Sequence, residues 1–390
     1  MTKKMLSLAA LLAAVSFASP AQAEVKFGGD ASVRLRGSFT EVESNNPALN
    51  DKEDDLYFQY RIRLKASADM GSGYFFKAML MSEEAAGGFM TIGNGNTEKY
   101  NIQVSNFVFG RMMQDSHWMM GRLPLNSLNN PIFDLTLYPV PTGAFTTAGF
   151  GASSITAVDV PVALFNYDRI FGLNYGAKIA GGEANATLVV FDNAMGDDNS
   201  SPFKGNGLFE DGYALHLSYK TSVGKITVEP QAIITLTDAN GANYINVSPM
   251  TFGANVTIPS GKAKFGLSGF YTFCDDENGA AVLQTTPTLL ATPASVDYSG
   301  YLFRVKGEIG GFTAWVDYNH SEDETPGFYG EYDNVFVWAQ YKFSVYESAM
   351  GSFSLTPTVR YRASSSDNTF NGVETDIDQL RAELYATVTF

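Results

Sequence analysis

Bases recur at every second residue in several places, among them Arg34-x-Arg36, Arg61-x-Arg63-x-Lys65 and Arg360-x-Arg362, with Arg381 standing alone further on. A spacing of two puts such side chains on one face of an extended strand. The chemistry they offer is electrostatic: fixed cations that order water and discriminate among passing solutes. Acid–base and nucleophilic chemistry has little material. The chain holds three histidines, His117, His216 and His320, and one cysteine, Cys274. His320 stands beside Ser321 and Asp323 and is the one candidate for a hydrolytic site, although triads are made by geometry rather than by adjacency. Short carboxylate runs (Asp51 to Asp55, Asp275-Asp276-Glu277 and Glu322-Asp323-Glu324) offer oxygen ligands for a hard divalent cation, calcium or magnesium. The alternative for these runs is a set of solvated loop tips, and no other cofactor is expected.

The elements that must carry these bases are strands. From Leu56 onward, Leu56, Phe58, Tyr60, Ile62 and Leu64 share one face, while Tyr57, Gln59, Arg61, Arg63 and Lys65 share the other. A base turned toward lipid near the midplane of a membrane costs about 2–4 kcal/mol. The basic face therefore belongs in water and the apolar face toward lipid. Val33 and Leu35 alternate with Arg34 and Arg36 in the same way, and Tyr301, Phe303 and Val305 alternate with Arg304 and Lys306. Phe312 to Asn319 and Phe353 to Arg362 repeat the pattern.

Export explains how such a chain reaches a membrane. Lys3 and Lys4, the apolar stretch Met5 to Phe17 and Ala21-Gln22-Ala23 read as a signal peptide over residues 1–23. That apolar stretch is shorter than the roughly 20 residues a spanning helix needs, and no second long apolar run follows. The remaining chain, 24–390, reads as one unit without linkers. With Lys3 and Lys4 set aside, 24 bases face 41 acids. Such a balance argues against a nucleic-acid partner, whose phosphates call for bases. One cysteine cannot form an internal disulfide, so stability must come from elsewhere, and closure of a hydrogen-bonded barrel is one candidate.

Alternation alone also fits a large secreted sandwich. The connections separate the two. Tight turns (Met70 to Gly73, Ala180 to Glu183, Ser222 to Gly224, Pro259 to Gly261, Gly310-Gly311) alternate with long polar ones (Glu41 to Asp55, Ala194 to Glu210, Cys274 to Asp297, Ser321 to Glu331, Ser364 to Asp376). A transmembrane barrel has one short-turn rim and one long-loop rim, whereas a sandwich has no reason to. The expected fold is thus an all-β transmembrane antiparallel β-barrel of about 16 strands (range 14–18). Strand centres are expected near residues 33, 62, 78, 104, 119, 173, 188, 216, 231, 254, 268, 304, 316, 339, 358 and 384.

Gly28-Gly29-Asp30 through Arg34-x-Arg36, Tyr60-Arg61-x-Arg63 and the terminal Phe390 resemble the sixteen-stranded general porins of Gram-negative outer membranes. That resemblance implies a passive water-filled channel for small hydrophilic solutes and ions. It also implies a homotrimer seated among outer-membrane lipid and lipopolysaccharide, with the third external loop folded inward. Here the third long connection spans residues 123–166 and carries Asn126, Asp134, Tyr138 and Asp159 as candidate constriction residues. Porins of this type often have an acidic motif there; two acids on this loop put strong cation selectivity in doubt. An external lid or subunit-contact loop is the alternative.

Closure places the last two strands beside the first two. Arg34, Arg36, Arg61, Arg63, Lys65, Arg360, Arg362 and Arg381 then form one basic wall on four consecutive strands. The wall serves either the constriction or, paired with acids such as Glu383, stability. Beside the general porin stand three rivals: a substrate-selective channel, a barrel hydrolase and a mainly structural or adhesive barrel with a blocked lumen.

Overall fold

The computed structural model describes residues 24–82, 89–91, 103–123, 125, 130–133, 171–190, 213–237, 244–245, 247–285, 288–368 and 372–390. Sixteen antiparallel strands form its wall: β1 Glu24–Ser44, β2 Asp51–Gly71, β3 Tyr74–Met81, β4 Gln103–Met112, β5 Ser116–Arg122, β6 Phe171–Ile179, β7 Gly182–Val190 and β8 Tyr213–Val223; then β9 Ile226–Thr235, β10 Met250–Ser260, β11 Ala263–Asp276, β12 Val296–Ile309, β13 Phe312–Asp323, β14 Gly330–Tyr341, β15 Gly351–Asn368 and β16 Val373–Thr389. Each pairs with the next. The last strand then pairs with the first from Asp30↔Thr389 to Ser44↔Thr375. The sheet is closed, and all sixteen expected strand centres fall inside these strands.

Side chains sort by parity as a barrel wall requires. Val33, Leu56, Phe58, Ile62 and Leu64 lie exposed on the outer face, while Ser32, Arg34 and Arg36 are buried on the inner one. At the short-turn rim the hairpins need backbone with positive φ. Ala180 and Gly181 take φ of 50° and 81° between β6 and β7, the twist-matched turn that favours glycine. Gly73 (φ 80°) has a second constraint, since a Cβ there would stand 1.9 Å from the Met112 carbonyl oxygen. At the seam, Gly29 and Phe390 exchange backbone hydrogen bonds of 2.8 and 3.1 Å. A Cβ on Gly29 would press on the Phe390 ring at 3.0 Å and on the Arg63 carbonyl at 2.3 Å. The terminal phenylalanine thus locks the closure, and glycine gives it room.

The long-loop rim differs from the sequence expectation. Four of the polar connections are entered by strand: β1 runs to Ser44 and β2 starts at Asp51, β11 ends at Asp276, β13 at Asp323 and β15 at Asn368. Backbone pairing continues past the apolar belt because a ladder in water tolerates polar side chains on both faces. The acidic runs therefore sit largely on strands, where successive side chains point to opposite faces instead of converging. Asp275 is exposed, whereas Asp276 accepts hydrogen bonds from the Ser248 hydroxyl (2.8 Å) and the Asn278 amide (3.0 Å), with Glu277 exposed in the turn that follows. Among the described residues no group of three or more His, Cys, Asp or Glu could hold a metal ion. Beyond the wall, Tyr244–Ile245, Ala280–Thr285 and Thr288–Pro293 form a small separate sheet at this rim.

The principal apolar cluster is inside the barrel. Inward-facing Val189, Ala214, Ile233, Phe270 and Leu302, from β7, β8, β9, β11 and β12, are buried together with Ile132 and Phe133. The latter two belong to a single 3₁₀ turn, Pro131–Phe133, in the third long-loop connection. The expected signal peptide, residues 1–23, lies outside the described residues.

Candidate functional site

The lumen is strongly basic on one side and mostly uncharged on the other, where Glu183 stands 3.9 Å from His117. On β15, β16, β1 and β2 the eight bases expected from the sequence do lie on adjacent strands, and their inward positions are fixed by register: Arg360↔Arg381, Arg36↔Glu383 and Arg34↔Gln59. Glu383 is the hub. Its carboxylate lies 2.5 Å from Arg36 Nε, 2.9 Å from Arg360 Nε and 3.2 Å from Arg34 Nη1. The Tyr385 hydroxyl donates to Glu383 (2.7 Å) and accepts from Arg34 (3.0 Å) and from Arg360. Charges this deeply buried hold their ionised forms only when paired and hydrogen-bonded. The shared carboxylate does that for three guanidiniums at once.

The remaining bases extend this group toward both rims. Arg63 Nε donates to both oxygens of Asp30 at 2.9 and 3.0 Å, and Lys65 stands 3.5 Å from the same carboxylate. Arg381 donates to the Ser38 hydroxyl at 3.3 Å, and Arg362 is buried beside Tyr332. Arg61 and Arg34 flank Phe89, their guanidinium carbons 4.5 and 4.1 Å from its ring centre. Away from the strand ends, the inward acids of these four strands are Asp30 and Glu383, against eight bases.

The opposite wall, eight strands away around β9, has a different chemistry. His117 meets the Asn174 side-chain oxygen at 3.0 Å, Asn174 donates to Thr187 at 2.9 Å, and His216 is 2.8 Å from the Gln231 oxygen. Gln231 also accepts from Asn130 at 2.7 Å, and Asn255 donates to Asn130 at 3.1 Å. Phe133, two residues on from the proline that follows Asn130, packs its ring 5.3 Å from that of His216. Residues 130–133 therefore rest against the inner wall on the side away from the bases. Asn126, Asp134, Tyr138 and Asp159 lie outside the described residues.

Several lumen residues lie outside the basic wall that the sequence points to. Arg304 on β12 grips Asp317 on β13 through Nε (2.5 Å) and Nη2 (2.7 Å), a buried bidentate pair. Trp315 and Trp338 stack with ring centres 4.6 Å apart. Their inward parity, at positions where polar residues are the rule, is the sign that could have marked them. Phe89 could not be found this way, because it lies past the end of β3 at Met81, next to Met90–Thr91, which pair with Gln59 and Tyr60. The hydrolytic neighbourhood separates: His320 points outward with Asp333 (3.0 Å), whereas Ser321 is buried on the opposite face of the strand.

A closed barrel with a charged, hydrogen-bonded interior and an apolar exterior is a channel wall. The chain shares this fold with an anion-selective porin from Comamonas acidovorans (14% identity, TM-score 0.52, covering 95% of this chain and 100% of that one). It is similar also to the outer membrane channel DcaP of Acinetobacter baumannii (12% identity, TM-score 0.52, covering 96% and 99%). No curated protein matches it by sequence. The family model for Gram-negative porins, however, matches residues 8–388. The chain belongs to the Gram-negative porins, outer-membrane β-barrels through which small solutes diffuse passively.

Proposed function

We propose that the basic seam across β15, β16, β1 and β2 is the selectivity wall of this channel and that it favours small anions over cations of equal size. The observation that carries this reading is the set of three guanidiniums gathered on one carboxylate, Glu383, in the middle of an eight-base wall. The chain as a whole is acidic, yet among the described residues of β1 and β2 the acids Glu41, Glu43, Asp51, Glu53, Asp54 and Asp55 lie at the long-loop rim. Along β2, Arg61 and Asp55 are six residues apart, about 20 Å of strand. That is roughly twice the screening length at physiological salt, so the rim acids do little to cancel the field at the seam.

On the same reading, the third connection, residues 123–166, narrows the lumen from the side opposite the bases, where Asn130, Ile132 and Phe133 already have bonded and packed seats. The working unit, by family resemblance, is a homotrimer surrounded by lipid and lipopolysaccharide, which native mass measurement in detergent tests. A catalytic role is not part of this reading, since His320 and Ser321 face opposite sides of β13.

Replacing Arg61 and Arg63 with Gln tests the wall. In a salt gradient across a planar bilayer, the reversal potential of the double variant should move toward cations. A reversal potential equal to that of the parent protein would show that these bases do not line the narrow part.

A further inference from the structure

Across seven neighbouring strands the lumen carries a row of side chains in which cations and rings intermingle. Lys306 on β12 is directly opposite Trp315 on β13, Trp315 opposite Trp338 on β14, and Trp338 opposite Arg360 on β15. The two indoles stack at 4.6 Å with 17° between their planes, and the Arg360 guanidinium lies 3.7 Å from the Trp338 ring centre. Arg304 and Lys306 stand 5.8 and 5.9 Å from the Trp315 ring. Past Arg360 the row continues through the Tyr385 hydroxyl on β16. Arg34 on β1 is 5.4 Å from the Tyr385 ring and 4.1 Å from that of Phe89, and Arg61 on β2 closes the row against Phe89. Phe89 and Tyr385 meet edge to face at 5.5 Å.

Exposure decides what a solute would touch. Arg34 and Arg360 are 2% and 3% exposed, whereas Trp338, Tyr385, Phe89, Lys306 and Arg61 are all partly open. The central arginines lie beneath the rings and the rings form the surface. Cations alone would retain any small anion, and bare rings any flat solute, sugars included. Rings backed by guanidiniums, with a base at each end of the row, match a solute that has both a flat π face and a negative charge.

We infer that this row is a retention site for planar aromatic carboxylates inside the channel. The carboxylate pairs with Arg61, or with Lys306 in place of its 2.7 Å contact with Glu308, and the ring lies on Trp338, Tyr385 or Phe89. Stacking between aromatic groups adds to the charge attraction, roughly a two- to tenfold gain in occupancy over a saturated anion of the same size. The inference rests on the channel reading above and names a solute class for it.

Benzoate and cyclohexanecarboxylate separate the contributions, because they share charge and approximate volume and differ in the π face. Both are titrated against the folded protein in detergent, followed by tryptophan fluorescence, and then added to single channels conducting potassium chloride. Benzoate should bind several-fold more tightly and interrupt the current for correspondingly longer. Equal binding and equal interruptions would overturn the inference, as would tighter retention of a neutral oligosaccharide. Trp338→Leu should bring benzoate down to the level of cyclohexanecarboxylate; an unchanged preference in both Trp338→Leu and Phe89→Leu would also overturn it. If a variant does not fold, the comparison on the parent protein still decides. The fluorescence titration needs no conduction, so loss of the channel reading and loss of the retention site are distinguishable.

Discussion

Replacing Glu383 with Gln removes the one negative charge on which Arg34, Arg36 and Arg360 converge, while keeping the size and much of the hydrogen bonding of the side chain. Two unit charges about 4 Å apart interact by about 4 kcal/mol at an effective dielectric constant near 20. With all three attractions removed the gross change is large, but water and salt in the lumen screen much of it. Removal of one partner from a buried ion pair costs about 3–5 kcal/mol net, and that range is the expected loss of barrel stability. Transport should shift as well: the seam loses one of its two central acids, so the reversal potential in a salt gradient should move further toward anions. Thermal unfolding is read by the temperature at which unheated protein loses its compact gel mobility, and selectivity by planar bilayer recording. Adding Arg36→Met to the variant should recover part of the stability by removing one of the opposed cations. A Glu383→Gln protein that unfolds at the parent temperature with the parent reversal potential would refute the hub role of this carboxylate.

Two further outcomes follow from the same geometry. Asp317→Asn leaves Arg304 buried against a neutral side chain and should destabilise the barrel by about 3–5 kcal/mol, whereas replacing both residues with Met should restore most of it in chemical denaturation; equal losses in the single and double variants would contradict the pairing. Phe133→Ala empties a fully buried seat at a cost of about 3–5 kcal/mol, so the third connection should loosen and single-channel conductance should rise or become noisier. A conductance trace identical to the parent would mean that this turn does not hold the narrow part.

The wall is legible in the sequence because a barrel strand has few ways to read. Once Arg61, Arg63 and Lys65 must face water, the register of β2 is set, and closure follows from the terminal strand ending in Phe390. Alternating turn and loop lengths then order all sixteen strands. The loops are harder. Asp51 to Asp55 look like a loop tip because carboxylates crowd there, but backbone pairing with β1 continues through Val42↔Asp51 irrespective of side-chain polarity. The site is half visible. Parity places all eight bases on one wall and suggests Glu383 as their partner. It does not show that Trp338 stacks against Arg360, because that depends on the register of β14 against β15. Nor does it bring Phe89 to Tyr385, at the far end of the chain, or to Arg34 and Arg61. The meeting of Phe89 with Tyr385 exists only once the last strand has closed on the first.

Single-channel recording in a planar bilayer with a potassium chloride gradient tests the central claim most directly. A water-filled barrel with this basic seam should show large ohmic steps and a reversal potential on the chloride side. Absence of conductance would contradict the channel, and a reversal potential on the potassium side would contradict the basic seam as its selectivity wall.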